Sequence, residues 1–282
     1  MTITAFDKLT CPLDGTALQQ AGVAWQCASG HSYDIARQGY VHLLPVQNKR
    51  SRDPGDSKAM VAARRAFLNS GYYQPIADAV AEAVLAGAPL SQPLACLDAG
   101  CGEGYYLRRL AEVAGGHHPL SILGLDISKY AIQAAARQDA RPAWVVGSNA
   151  NLPVEAESMD RLLCLFGFPV YAEFARVLKP GGRLVQVDAG PDHLKELRAI
   201  IYPEVRKETR PVRALPEGFG HLSSRELSLT LELTNAGAIG DLLAMTPHFY
   251  RANAEGRAAA EALESLSVTV QVRIQSFEKA RA

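Results

Sequence analysis

The run Leu97-Asp98-Ala99-Gly100-Cys101-Gly102-Glu103-Gly104-Tyr105 constrains the fold of this chain more than any other stretch. It follows an apolar segment, Leu94 to Ala99, and precedes a helical pattern from Tyr105 to Val113, so its glycines must carry the backbone from a strand directly into a helix. Glycine permits the sharp turns and the close backbone approach such a passage needs, and the N–H groups that open the helix point toward whatever lies in front of them. One acid, Asp98, ends the strand. A second, Asp126, ends the next strand in Leu123-Gly124-Leu125-Asp126-Ile127-Ser128, 22 residues beyond Gly104. At that spacing a carboxylate can accept both hydroxyls of a ribose. Dinucleotide enzymes use a similar loop, and a glycine turn that merely packs helix on strand is the structural alternative.

Strand-like and helix-like segments continue to alternate downstream: strands at Ser121 to Leu125, Ala143 to Val146, Arg161 to Phe166 and Gly182 to Val187, with helices at Lys129 to Gln138 and Ala172 to Leu178. Crossover helices between such strands predict an α/β fold, a mostly parallel sheet with helices on both faces. Past Asp188 the pattern predicts a helix (about His193 to Val205), an irregular stretch (Arg210 to Phe219), a strand (Glu226 to Leu233), a helix (Thr234 to Met245) and a last strand (Ser267 to Ile274). Upstream, Ser57 caps a helix that carries Met60, Ala63, Phe67 and Leu68 on one face, and Pro75 opens a second that runs to about Leu85. The chain divides into residues 1–47, small and turn-rich; 48–89, a basic linker and two helices; and 90–282, the alternating region.

With 29 basic against 29 acidic side chains in 282 residues, the chain has no overall bias toward polyanions, so such a partner must be met by a local patch. No segment approaches 18 uninterrupted apolar residues, and Met1 to Leu18 lacks the marks of a secretory leader, which predicts a cytoplasmic protein with no membrane partner and reduced cysteines. Two of the five cysteines stand in Cys11-x2-Asp14-x12-Cys27-x3-His31. Two ligand pairs in knuckle-like turns a dozen residues apart have the arrangement of a tetrahedral zinc ribbon, with Asp14 where a Cys is usual. Two buried cysteines beside a surface His–Asp pair, without metal, is the alternative. A core as small as that of residues 1–47 needs a staple, which favours zinc.

The acid-and-glycine loop and Asp126 resemble those of class I (Rossmann-like) S-adenosylmethionine-dependent methyltransferases. Ser148-Asn149-Ala150-Asn151-Leu152-Pro153 resembles their loop beside the adenine, with Ser148 where an aspartate is commonest, and Leu178-Lys179-Pro180-Gly181-Gly182 matches the turn before their fifth strand. The resemblance implies that residues 90–282 form the methyltransferase domain. It further implies that Asp98, Gly100, Gly102, Glu103 and Gly104 hold the methionine portion of S-adenosyl-L-methionine, Asp126 the ribose, and Ser148, Asn149 and Leu152 the adenine side. Gly39-Tyr40-Val41-His42-Leu43-Leu44-Pro45, Lys49 to Ser57, Arg64-Arg65-Ala66-Phe67-Leu68 and Gly71-Tyr72-Tyr73-Gln74-Pro75 narrow it, because they look closely like the 23S ribosomal RNA guanine-N1 methyltransferases. That family joins a zinc-ribbon N-terminal domain to a class I domain and methylates a guanine in an RNA hairpin loop. It implies zinc on Cys11, Cys27 and His31, with Asp14 replacing a fourth cysteine, and cofactor contacts from Tyr73 and His193.

Lys49, Arg50, Arg52, Arg64 and Arg65 form a cationic segment where RNA phosphates could lie, although a solvated linker and helix face would have the same composition. Phe166 and Phe168, after the fourth strand of the alternating region, are candidates to stack on an unstacked base. No residue stands out as the acceptor of the guanine N1 proton; Asp188 and Asp192 are the nearest candidates by position. A homodimer could combine two cationic segments into one cleft. Two other functions fit the same residues: methylation of a small molecule such as a quinone or lipid precursor, and RNA binding without catalysis.

Overall fold

A computed structural model of the chain describes residues 3–48, 51, 53–202, 215–246, 250 and 252–281. The alternating region folds as β6 (Leu94–Ala99), α3 (Tyr105–Ala114), β7 (Leu120–Asp126), α4 (Lys129–Gln138), β8 (Ala143–Val146), β9 (Met159–Leu165), α5 (Tyr171–Val177) and β10 (Leu178–Ala189). It is preceded by β1 (Ile3–Ala5), β2 (Leu18–Ala21), β3 (Ala24–Cys27), β4 (Ser32–Asp34), β5 (Tyr40–His42), α1 (Lys58–Asn69) and α2 (Gln74–Leu85). After it come α6 (Lys195–Ile201), β11 (Phe219–Leu233), α7 (Ala236–Ala244), α8 (Ala254–Glu261) and β12 (Leu266–Lys279).

The large sheet has the order β11-β12-β10-β9-β6-β7-β8-β5. Its pairs are parallel except β10 with β12 and β12 with β11. Strand order reverses between β6 and β9, and it is outside the carboxyl ends of the strands at such a reversal that open α/β sheets bind ligands. Apolar residues cover both faces. Phe67, Ile76, Val80, Leu107 and Leu110 pack on one side; Phe174 packs on the other together with Leu9, Cys11, Leu18 and Val41 from the N-terminal region.

The N-terminal residues do not all stay in their own sheet. β2, β3 and β4 form a three-stranded antiparallel sheet, but β5 pairs parallel with β8 at the rim of the large sheet, and β1 lies parallel to the first residues of β7. Three further differences from the sequence pattern have local causes. β11 starts at Phe219, seven residues before Glu226, because residues 220–226 are exposed and are held by the ladder to β12, which leaves no apolar alternation to read. β12 extends to Lys279 for the same reason of pairing. α8, capped by Asn253, whose side chain accepts from Gly256 N at 2.7 Å, was not expected from a short alanine-rich stretch. The helix expected from His193 is α6, starting at Lys195, and residues 203–214 lie outside those described.

Candidate functional site

β6 delivers Asp98 to the switch point, and the loop after it is tied to β7 by Gly100 N and Cys101 N, which both donate to Leu125 O (2.8 and 3.0 Å). Gly100, Gly102 and Gly104 all have left-handed backbones, with φ of 101°, 56° and 83°. They serve different ends. A Cβ on Gly104 would lie 2.6 Å from Trp144 Cη2, whereas one on Gly100 would meet nothing within 4 Å, so the loop is packed behind Gly104 and open at Gly100. Asp126 braces it from β7: Oδ2 accepts from Gly102 N at 2.9 Å and Oδ1 from Ser128 N at 2.7 Å. Ser128 in turn caps α4.

Asp98 is buried and neither of its carboxylate oxygens accepts a hydrogen bond. Burial, and then the nearby charge of Asp126, push its carboxyl up to about 8. A buried carboxylate without a partner is costly in isolation and marks a place for a cationic or hydrogen-donating ligand. S-adenosylmethionine, which carries a sulfonium and an ammonium group, fits that requirement and the open side of Gly100. Glu103 is placed differently. Its carboxylate points inward, where Oε2 accepts from Arg108 (2.9 Å) and Gln138 Nε2 (2.6 Å), so it fastens the loop to α3 and α4.

The other cofactor candidates surround the same strand ends. Asn149 Nδ2 donates to Ala99 O at 3.2 Å, tying the loop after β8 to the end of β6. Ser148 Oγ accepts from Ala150 N. Leu152 is buried in the core, with its N–H donated to Glu173. Tyr73, at the start of α2, is buried with its ring 6.3 Å from Phe166 and 6.4 Å from His193, and those two rings lie 5.9 Å apart. Burial raises the Tyr73 hydroxyl above its ordinary range. His193 Nδ1 accepts from Gln271 N at 3.3 Å, which orients the ring. Phe166 has φ 54°, a strained setting for a bulky residue of the kind that clusters at binding sites. Phe168, two residues on, is 85% exposed. Asp188 accepts from Gln186 Nε2 at 2.6 Å, and Asp192 lies on the surface.

Of the cationic candidates, Lys49, Arg50 and Arg52 lie outside the described residues. Arg65 is exposed on α1. Arg64 turns the other way, onto the glycine loop, where it is ion-paired with Asp56 and donates to Met245 O at 3.1 Å. Sequence reasoning missed Asp56 and the direction of Arg64. Only the acid eight residues before an arginine hinted at them, and that spacing carries no meaning until residues 53–57 are seen to cross the end of β7.

Cys11, Asp14, Cys27 and His31 come together, with one ligand atom from each lying within 4.8 Å of the others. Hydrogen-bonded knuckles present them: Cys11 N donates to Thr16 O, and Cys27 N to His31 O. Cys11 Sγ and Cys27 Sγ are each 3.4 Å from His31 Nδ1, Asp14 Oδ2 is 3.2 Å from the same nitrogen, and Cys27 Sγ is 3.7 Å from Asp14 Oδ2. Ligands at zinc bond lengths around a tetrahedron stand about 3.3–3.8 Å apart, so the donor set fits zinc. Thr16 donates twice to Asp14 Oδ1 and holds that carboxyl well below the usual range, leaving Oδ2 turned to the centre.

Two family models match the chain: the zinc ribbon described as "RlmA, N-terminal" over residues 9–52, and "Methyltransferase domain" over residues 97–186. A 23S rRNA (guanine(748)-N(1))-methyltransferase of Streptomyces fradiae is 34% identical, covering 85% of this chain and 84% of its own. Proteins described as "Putative 23S rRNA (guanine-N(1)-)-methyltransferase" from Micromonospora griseorubida and Bacillus subtilis are 33% and 31% identical, each over 95% of this chain and 96% of its own length.

Proposed function

The chain belongs to the 23S rRNA (guanine-N1-)-methyltransferase family, and from that premise we infer that it transfers a methyl group from S-adenosyl-L-methionine to N1 of a guanine in a hairpin loop of 23S ribosomal RNA. The observation that carries the cofactor half of this reading is the buried, unpartnered carboxylate of Asp98 beside the open Gly100. When bound, S-adenosylmethionine supplies a methyl group already activated toward nucleophiles. The protein's task is therefore alignment, and orientation of two reactants contributes roughly 7–11 kcal/mol in favourable cases.

In this reading Asp98 faces the positive charge of the methionine portion, Gly100, Gly102 and Gly104 let the backbone approach it, and Glu103 keeps the loop in shape through Arg108 and Gln138. Asp126 holds the ribose, Ser148, Asn149 and Leu152 border the adenine, and Tyr73 and His193 close the pocket. A guanine N1 keeps its proton until about two pH units above neutrality, so removing it at pH 7 costs about 3 kcal/mol. Phe166 and Phe168 stack on the extruded base, and Arg65 with Lys49, Arg50 and Arg52 takes the flanking phosphates. Zinc on Cys11, Asp14, Cys27 and His31 staples residues 1–47. A neutral chain gains a wider cationic surface by pairing, which favours a homodimer, and a ribosomal RNA substrate places the work in the cytoplasm.

Among the described residues no helix is long and apolar enough to cross a membrane. A methyl on guanine N1 blocks Watson–Crick pairing, so reverse transcription of unmodified 23S rRNA treated with the protein and cofactor should stop at one hairpin guanine. The stop should vanish with Asp98→Asn. Read-through at every guanine would count against this substrate.

A further inference from the structure

Arg64 sits in the middle of α1 with its side chain laid over the glycine loop: a Cβ on Gly102 would lie 3.7 Å from Arg64 Cδ and 3.8 Å from Nη1. Nη1 is ion-paired with Asp56 Oδ2, and Nη2 donates to Met245 O. Asp56 is itself fixed, since its main-chain oxygen accepts from Ser128 Oγ at 2.7 Å and a Cβ on the preceding Gly55 would lie 2.8 Å from Ile127 Cγ2. Residues 53–57 are thus strapped over the carboxyl end of β7, with one carboxylate held out to Arg64.

Among the described residues, the charges around the loop do not balance for the cofactor inferred above. Of the three carboxylates there, Asp98 suits its sulfonium and ammonium groups, Asp126 is assigned to the ribose, and Asp56 is paired with Arg64. Its own α-carboxylate needs a cation. Arg108 is engaged with the carboxylate and main-chain oxygen of Glu103. Arg64 has a planar fork of donors at the loop, with one arm on the Asp56 carboxylate and the other on the Met245 main-chain oxygen.

Resting on the cofactor reading, we propose that Arg64 is the clamp for the α-carboxylate of S-adenosylmethionine, and that Asp56 occupies its guanidinium until the cofactor arrives. Arg64 then belongs to cofactor binding and not to the RNA surface with which its neighbours group it. Asp56 acts as a placeholder that keeps the guanidinium aimed and half-buried.

Calorimetric titration with two ligands tests this: S-adenosylmethionine, and its decarboxylated form, which keeps sulfonium and ammonium and lacks only the carboxylate. Arg64→Met should weaken S-adenosylmethionine binding about 10- to 100-fold, the scale of a lost charge-assisted pair, and leave the decarboxylated ligand unchanged. Arg64→Lys keeps the charge that the fold experiences; it should lose part of the first affinity and none of the second. Asp56→Asn should bind S-adenosylmethionine at least as tightly as the parent. Equal losses for both ligands in Arg64→Lys, or no loss for either in Arg64→Met, would overturn the clamp, and an Asp56→Asn loss matching that of Arg64→Met would overturn the exchange. Failure of the unmodified protein to bind S-adenosylmethionine would instead remove the cofactor reading itself.

Discussion

Gly104 and Gly100 share a left-handed backbone but face different neighbours, and replacing each by alanine separates the packing of the loop from its use. In Gly104→Ala the new methyl would lie 2.6 Å from Trp144 Cη2, 3.2 Å from Cζ3 and 3.3 Å from Ala135 Cβ. Trp144 cannot step aside: it is buried, and its indole N–H donates to Asp139 O at 2.7 Å. The left-handed φ costs an L-residue roughly 1–2 kcal/mol, and overpacking a closed core adds about 1–3 kcal/mol. The sum, roughly 2–5 kcal/mol, corresponds to a fall in Tm of about 4–20 °C for a chain of this size. Gly100→Ala carries only the backbone cost, about 2–8 °C, but places its methyl in the space where the cofactor approaches. Thermal denaturation without ligand and calorimetric titration with S-adenosylhomocysteine should therefore rank the two variants in opposite orders. A Gly100→Ala protein as unstable as Gly104→Ala, or one that binds S-adenosylhomocysteine like the parent, would refute the reasoning.

Asp98 makes the cofactor-free protein pH-sensitive. With its carboxyl at about 8 in the fold against 3.8 ordinarily, the folded chain holds a proton that the unfolded chain has lost between those values, so stability falls as pH rises through that window, by on the order of 5 kcal/mol in all. A cationic ligand favours the ionised carboxylate, so affinity for S-adenosylmethionine should rise with pH up to about 8. Denaturation and titration across pH 5–9 should show both slopes flattened in Asp98→Asn; unaltered slopes would assign them elsewhere. Chelation of zinc should loosen the β2-β3-β4 sheet and change the emission of Trp25, half-buried in β3, while Trp144 in the large core is undisturbed. Asp14→Cys, with a softer ligand, should need more chelator for the same change; equal sensitivity would argue that Asp14 is not a ligand. Phe168→Ala should lower kcat/KM for RNA about 5- to 150-fold, the range of one base–aromatic stack, without altering cofactor affinity. A loss of cofactor affinity would place Phe168 in the wrong pocket.

What could be read from the sequence was local. The glycine loop, the two acids after their strands, and the paired ligands around Cys11 and Cys27 are short-range patterns whose geometry follows from the turns that carry them, and the structure brings each group together. What could not be read depends on contacts between distant segments. The inward turn of Glu103 requires Gln138 from α4. Arg64 looks like its neighbour Arg65 until Asp56 and Met245 are placed around it. β5 joins the large sheet through a three-residue pairing with β8, too short to show any periodicity. The first half of β11 depends on pairing alone and therefore has no apolar stripe. The left-handed Phe166 gives no sign in a sequence where glycine is the residue expected to turn that way.

The central claim is methyl transfer to guanine N1 in ribosomal RNA, and its most direct test is to incubate the protein with methyl-labelled S-adenosylmethionine and unmodified 23S rRNA, then digest the RNA and separate the nucleosides. Label in 1-methylguanosine, lost with Asp98→Asn, is the predicted result. Label in any other nucleoside, or bound cofactor with RNA left unlabelled, would contradict it.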